Sequence, residues 1–285
     1  MPELPEVETM VRGVRPVLVG RRLERLEIID PFLVRVVSAA DLEEKARGAL
    51  ISSVDRRGKA VVVGLGPSGG FIVIHPRMTG GFWLVPPERP EHVRLIFRIA
   101  DEGEMVWFRD TRRLGRVSWH AVADFADSLG PDALEIECAD LAARLARTDR
   151  AVKAALLDQK VLAGVGNIYA DEVLFQARIH PSRPASSLRR RELTRLHAAI
   201  APLLLRAIEL EGSSFDGDYR TLLGKEGGYL KQALVHLREG EACRSCGSAI
   251  VKTRIAGLIG RPTYFCPRCQ PGPGRAGRKR GDRVS

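Results

Sequence analysis

The chain has 285 residues, room for two domains and a small appendage, and its 45% hydrophobic content lets each part bury a core. Lys and Arg outnumber Asp and Glu by 45 to 35, so the net charge is +10 and the pI is near 9.8; this points to a polyanionic partner, most simply nucleic acid. No apolar run reaches the ~18 residues that span a bilayer, the acidic start lacks a secretion-signal pattern, and five cysteines are not a disulfide framework.

The chain opens Met1-Pro2-Glu3-Leu4-Pro5-Glu6-Val7-Glu8. A small residue at position 2 permits removal of Met1, which leaves Pro2 with a free secondary amine. An α-amino group titrates near pH ~8, so part of it is free base at neutral pH. With a carbonyl it forms an iminium, an electron sink. Glu3 and Glu6 lie beside it to move protons. The same residues also read as a helix start, with Pro5 in the first turn and acids at the positive dipole end. Taken alone, the stretch favours the helix start.

Residues 4–18 read as a helix with Val7, Met10, Val11, Val14, Val17 and Leu18 on one face. Short β-like runs follow at 23–29, 33–37, 59–65, 71–75, 82–85, 93–99, 105–108 and 116–119. A short helix from Asp41, as N-cap, to Gly48 interrupts them. Many short strands separated by Gly and Pro predict an antiparallel sandwich. Residues 121–150 hold seven acids against three arginines, net −4, and make a poor polyanion contact; a domain boundary is placed near Gly130-Pro131. Helices are expected over 151–159, 168–179 and 189–211, then a Gly-rich loop and a short helix over 212–235. Residues 271–285 carry five basic residues and one acid with almost nothing apolar, and are expected to be disordered.

Cys243-x2-Cys246, nineteen residues, then Cys266-x2-Cys269 is a four-thiolate signature for one structural zinc ion. Runs 250–255 and 261–265 would form a hairpin between the knuckles. That module has five basic residues and no acid, so it stays near +3 after a four-thiolate zinc, which suits a nucleic-acid probe. The loop Gly164–Asn167 before a helix offers amides to a phosphate, with Asn167 and Tyr169 as side-chain donors. Two turns are basic: His75–Gly80, which exposes Met78 as a wedge, and Arg109–Gly115, whose arginines fork onto guanine or phosphate. Lys59 suits a phosphate contact. For each, a solvated turn or an ordinary core filler is the alternative on residues alone. The single histidines His92, His120, His197 and His236 form no ligand spacing.

Taken together, Pro2–Glu8, Gly164-Val165-Gly166-Asn167-Ile168-Tyr169-Ala170 and Arg261-x-Thr263-Tyr264-Phe265-Cys266-x2-Cys269-Gln270 resemble the bacterial formamidopyrimidine-DNA glycosylase family, in order across residues 2–270. The resemblance implies an α+β multidomain protein: a catalytic β-sandwich with flanking helices over 1–130, a linker over 131–150, a helix–two-turn–helix domain over 151–235, a zinc finger over 236–270 and a basic tail. It implies excision of oxidised purines from duplex DNA in the cleft between domains, followed by strand cleavage through β- and δ-elimination. Pro2 would attack C1′ and form a Schiff base, Glu3 would act as general acid/base, and Glu6 would hold the N-terminus. Lys59, Asn167 and Arg261 match phosphate contacts. Met78, Arg112 and Leu114 match the residues that fill the gap left by the flipped base. His92 is placed among the DNA contacts, and Lys225 in a loop that closes over the base. Leu114 stands where the family usually has phenylalanine, and the loop before Lys225 is altered. Leu4 and the wedge set favour the purine branch over the related endonuclease VIII branch. The expected setting is a monomer on nucleoid DNA in the bacterial cytoplasm, away from membranes. A zinc-dependent damage binder without catalysis is the rival of another class.

Overall fold

The computed structural model describes residues 2–66, 69–100, 103–214 and 219–272. Expectations for Met1, for the tail from 273 onward and for 215–218 lie outside these residues. The chain forms two compact units, Met1–Ala133 with Leu204–Gln232, and Leu134–Leu203 with Ala233–Ser285.

The first unit opens with α1 (Leu4–Leu18), which buries Leu4, Val7, Met10, Val11, Val14 and Leu18, the face set by helical spacing. Two sheets follow. One orders β1 (Leu23–Ile28), β7 (Val93–Ile99), β8 (Met105–Asp110) and β6 (Gly80–Trp83), antiparallel throughout. The other orders β2 (Val34–Arg35), β9 (Arg116–His120), β5 (Phe71–His75), β4 (Ala60–Leu65) and β3 (Ile51–Arg57). Phe82, Phe97 and Phe108 of the first sheet share one core with Val61, Val63, Ile72, Ile74 and Val117 of the second and with the α1 face. This is the expected sandwich.

Three local expectations change. The pair β2–β9 is parallel rather than antiparallel, because a 3-10 turn at Pro31–Leu33, capped by the Asp30 carboxylate on the Phe32 N–H at 3.2 Å, redirects the chain. The helix near residue 41 is α2 (Ala39–Ala46); its cap is Ser38, whose hydroxyl accepts the Asp41 N–H at 3.1 Å, while Asp41 is the third helical residue. Gly48, at φ +66°, lies just beyond its end as expected. Strand β3 did not read as a strand, since an irregularity between Ile51 and Ser53 breaks the alternation that would have announced it.

The second unit holds α3 (Cys138–Leu145), α4 (Val152–Leu157), α5 (Asn167–Gln176), most of α6 (Arg190–Glu209) and the hairpin β10 (Val251–Thr253) with β11 (Thr263–Phe265). The 131–150 stretch is therefore not a bare linker: α3 buries Leu141 and Leu145 on an amphipathic face. The boundary falls after Ala133. The end of α6 and the loop after it join the first unit, because Tyr219 and Leu222 enter its core and the Leu84 N–H bonds the Leu222 carbonyl at 3.0 Å. The zinc module is not separate from the helices either, since Phe175 of α5 packs with Val235, Cys243, Ile250, Tyr264 and Cys266. No described helix is long and apolar enough to cross a membrane.

Phe108 is fully buried, with its ring 5.3 Å from Phe82. Phe108→Ala should lower stability by about 3–5 kcal/mol, the usual cost of an aromatic cavity. Chemical denaturation checks this; a loss under about 1 kcal/mol would refute the shared core.

Candidate catalytic centre and nucleic-acid interface

The N-terminal residues are held, not frayed. Pro2, Glu3 and Glu6 are all buried. One Glu6 oxygen accepts the Glu3 N–H at 2.8 Å, closing the start of α1. The other accepts the Ser213 N–H at 2.7 Å. Gly212 allows this approach: it sits at φ +81°, and a Cβ there would stand 2.7 Å from the Glu6 Cγ. Burial, then the nearby Glu6 charge, push the Tyr219 phenol well above its ordinary range.

Lys59 occupies the turn between β3 and β4, after Gly58 at φ +57°. Arg56 fixes this turn. Its guanidinium grips Asp132 at 2.5 and 2.9 Å, reaches Glu8 of α1 at 3.1 Å and donates to the Gly58 carbonyl at 3.1 Å. Sequence reading singled out Lys59 and passed over Arg56, because nothing in a run of basic residues marks which one is buried. His75 ends β5, and its Nδ1 accepts the Arg77 N–H at 3.1 Å. Burial, then the charges of Arg77 and Lys59, lower its pKa to about 4. Lys59 and His75 therefore face one electropositive spot, another feature the isolated histidine did not reveal.

The two basic turns meet on Asp110. Its carboxylate is fully buried, accepts the Thr79 hydroxyl from one turn, and accepts N–H groups of Arg112 at 3.3 Å and Gly115 at 2.6 Å from the other. Thr79 also accepts the Arg112 N–H at 3.1 Å. This brings the turns of Met78, Arg112 and Leu114 together; Arg112 is exposed and the other two are half-buried. His92 sits at the entry to β7, 3.7 Å from Glu91. Lys225 is exposed in a turn held by the Thr221 hydroxyl on its N–H at 3.2 Å.

In the second unit, Gly164, at φ +104°, and Gly166 precede α5. Gln159 pins this loop: its Oε1 accepts the Gly164 N–H at 2.9 Å and its Nε2 donates to the Val165 carbonyl at 3.0 Å. Asn167 Nδ2 donates to the Pro262 carbonyl at 3.1 Å, so Asn167 lies beside the residue after Arg261. Lys153, fully buried, donates to the same carbonyl at 2.9 Å and to Thr263 Oγ1 at 3.0 Å, and pairs with Asp171 at 2.8 Å. Arg261 itself is exposed. Tyr169 corrects an expectation: its side chain is fully buried, because α5 is enclosed on every side, so it is a core residue rather than a surface donor.

The four sulfurs of Cys243, Cys246, Cys266 and Cys269 lie within 4.8 Å of one another, with Sγ–Sγ separations of 3.9 Å (Cys243–Cys269) and 3.4 Å (Cys246–Cys266). Tetrahedral thiolates about 2.3 Å from zinc stand roughly 3.8 Å apart, so the donor set fits one ion. Burial and the three neighbouring thiols push the Cys269 thiol up, so crowding of this donor set disfavours its thiolate unless a cation stands beside it. Gln270 explains its place in the motif: Oε1 accepts the Cys266 N–H at 3.0 Å and Nε2 donates to the Ile179 carbonyl at 2.8 Å.

A sandwich, a two-glycine turn before a buried helix and a four-cysteine hairpin, in this order, define an H2TH and zinc-finger protein. Family models agree. The formamidopyrimidine-DNA glycosylase N-terminal domain matches residues 1–117, its H2TH domain 129–217, and the zinc finger found in FPG and IleRS 240–272. A formamidopyrimidine-DNA glycosylase of Symbiobacterium thermophilum is 42% identical over 284 residues, covering 96% of this chain and 90% of its own. One from Thermus thermophilus is 41% identical over 278 residues, covering 95% and 98%. The crystal structure of MutM (Fpg) from Thermus thermophilus superposes with a TM-score of 0.84 at 39% identity, and a complex of Lactococcus lactis Fpg with DNA containing an abasic site with 0.85 at 30%; each covers 95% of this chain and 100% of that one. The chain belongs to the formamidopyrimidine-DNA glycosylase family.

Two outcomes are expected. Stripping the metal with a chelator, or Cys266→Ser, should unfold the hairpin of the second unit and leave the thermal transition of the β-sandwich in place; a hairpin that keeps its hydrogen-exchange protection without metal would refute the role of the ion. His75 should titrate by NMR at about 4, and Lys59→Ala should raise that midpoint toward the ordinary 6.5. Between these two values the unfolded chain binds a proton at His75 and the folded protein does not, so stability falls as pH drops through this window.

Proposed function

We propose that this protein is a bifunctional DNA glycosylase and abasic-site lyase of base excision repair, which removes oxidised purines such as 8-oxoguanine and formamidopyrimidines from duplex DNA. One observation carries the reading. The first residues of the chain are buried and tied by Glu6 to a segment over two hundred residues away, whereas chain termini ordinarily fray. A terminus held this way suits an amine that must meet its target in one geometry.

With Met1 removed, the Pro2 nitrogen attacks C1′ of the damaged nucleotide. The N–C1′ bond forms as the glycosidic bond breaks, and that electron pair leaves on the base with a proton. The C1′–O4′ bond then opens, its electron pair leaving on O4′, which takes a proton, and C1′ becomes an iminium; this acidifies the C2′ hydrogens, so two successive eliminations expel the flanking phosphates. Glu3 moves the protons and Glu6 positions the N-terminus. Lys59 contacts phosphate beside the lesion, and Asn167 and Arg261 grip the backbone. Met78, Arg112 and Leu114 occupy the stack once the base has turned out, Arg112 toward the orphaned base. His92 adds a DNA contact, and the Lys225 turn closes over the extruded base. The enzyme works as a monomer in the bacterial cytoplasm.

Borohydride should trap mature protein on a duplex holding 8-oxoguanine opposite cytosine. Pro2→Gly should keep part of the lyase activity, since a primary amine remains, and retention of Met1 should abolish it. Trapping only on an oxidised-thymine duplex would overturn the purine assignment. Full activity with the terminus blocked would overturn the amine mechanism, and trapping on neither duplex would leave a binding protein.

A further inference from the structure

An open cleft of about 540 Å³ lies within the first unit, lined among others by Trp83, Glu88, Arg89, Arg109, Arg220 and Gly224. Neither Glu6 nor the Asp110 carboxylate lines it. Arg109 is among its lining residues. In the sheet, Arg109 of β8 pairs with Gly81 of β6, which has no side chain to oppose it. The guanidinium therefore lies over Trp83, two residues along the same strand as Gly81, with its carbon 5.4 Å from the ring centroid. Gly224 closes on the same indole; a Cβ there would stand 3.2 Å from Trp83 Cζ3.

This arginine is fixed in place but not satisfied. Its Nε is buried and meets no acceptor, and among the described residues it forms no ion pair. Burial and the charges of Arg89 and Arg220 depress its pKa, against the weaker opposing pull of Glu91 and Glu88. Arg220 leans on Glu226 only at 3.7 Å, with both side chains substantially exposed. Three arginines thus line the cleft against one glutamate. With its carbon 5.4 Å from the indole centroid the guanidinium is braced by the ring, and its terminal N–H groups suit a forked acceptor such as phosphate.

We propose that Arg89, Arg109 and Arg220, backed by Trp83, form a further phosphate site, which takes a phosphodiester of the bound duplex other than those assigned to Lys59 and to Asn167 with Arg261. The proposal rests on the DNA-binding reading above. The cleft is open, as a continuous strand requires, and Arg109 directly precedes Asp110, the anchor of the Arg112 turn.

The test is the salt dependence of binding to a duplex with a tetrahydrofuran abasic site, which requires no chemistry; a failed borohydride trap would therefore leave this measurement standing. Arg89→Gln/Arg109→Gln should make the log–log slope shallower by about 0.9, one phosphate's worth, on damaged and undamaged duplex alike. Arg47→Gln, an exposed helix-end control, should leave it unchanged. A slope identical to wild type in the double variant, with its thermal transition intact, overturns the site, and Arg220→Gln gives a second reading should the double variant misfold. If inorganic phosphate quenches tryptophan fluorescence of wild type but not of the variant while the slope stays the same, the cleft serves free anions and the backbone assignment is wrong.

Discussion

A carboxylate removed from water must have its oxygens occupied, and Glu6 meets that condition with backbone from two distant parts of the chain. One oxygen holds the residue that precedes α1; the other holds Ser213, just beyond α6. Much of the candidate centre depends on this. The N-terminal residues are ordered because Glu6 is buried, and Glu6 is tolerable in the interior because both donors arrive. Gly212 is required by the same contact, since any side chain there would collide with the carboxylate. Loss of either partner leaves an uncompensated charge in the core, so the start of the chain and the segment after α6 stand or fall together.

The same device recurs wherever an exposed residue needs a fixed backbone. Buried Asp110 ties two basic turns by their own N–H and hydroxyl groups, leaving the Arg112 side chain outside. In the second unit, Asp171 pairs with Lys153 at 2.8 Å and with His236 at 2.8 Å, and Lys153 holds the strand that begins next to Arg261. Glu172 accepts three successive N–H groups of Leu234, Val235 and His236, although burial still pushes its pKa up. Each anchor is a buried charge; Glu6, Asp110 and Glu172 draw mostly on backbone donors, whereas Asp171 is held by two side chains. Such anchors set geometry without offering their own chemistry to a ligand, and the exposed cations they position remain available to one.

Much of this was legible in the sequence, and what escaped has a common cause. Periodicity exposed α1 and α6, because each buries one regular face, and short β-like runs between Gly and Pro exposed most strands of the two sheets. The cysteine spacing exposed the metal site, because four ligands at fixed offsets carry their own geometry. Arg56, Asp110 and Lys153 were missed because they join segments distant in sequence, and His75 and Gln159, whose partners are near neighbours, because no local pattern separates a buried polar residue from a solvated one. Tyr169 was misread for the converse reason. It follows a phosphate-type turn, but α5 has no solvent face, so proximity in sequence to a binding loop did not place its side chain there. Strand β3 was hidden by a break in register, and α3 by an acidic stretch whose charge pattern masked Leu141 and Leu145.

Both carboxylates at the start of α1 are drawn into its capping box. Glu6 has both oxygens occupied by backbone N–H groups, so taking up a proton would cost it a hydrogen bond in a buried setting. A group so engaged is a poor proton carrier and a good support. Glu3 adjoins the prolyl residue, and the tie from the helix start to Ser213 runs through the Glu6 carboxylate. The Glu3 carboxylate is engaged as well, accepting the Glu6 N–H in the capping box of α1, and what distinguishes Glu3 is its place next to the proposed amine. The helix start and the proposed catalytic reading of Pro2–Glu8 do not compete: the capping bond that begins α1 also fixes the residue next to Pro2.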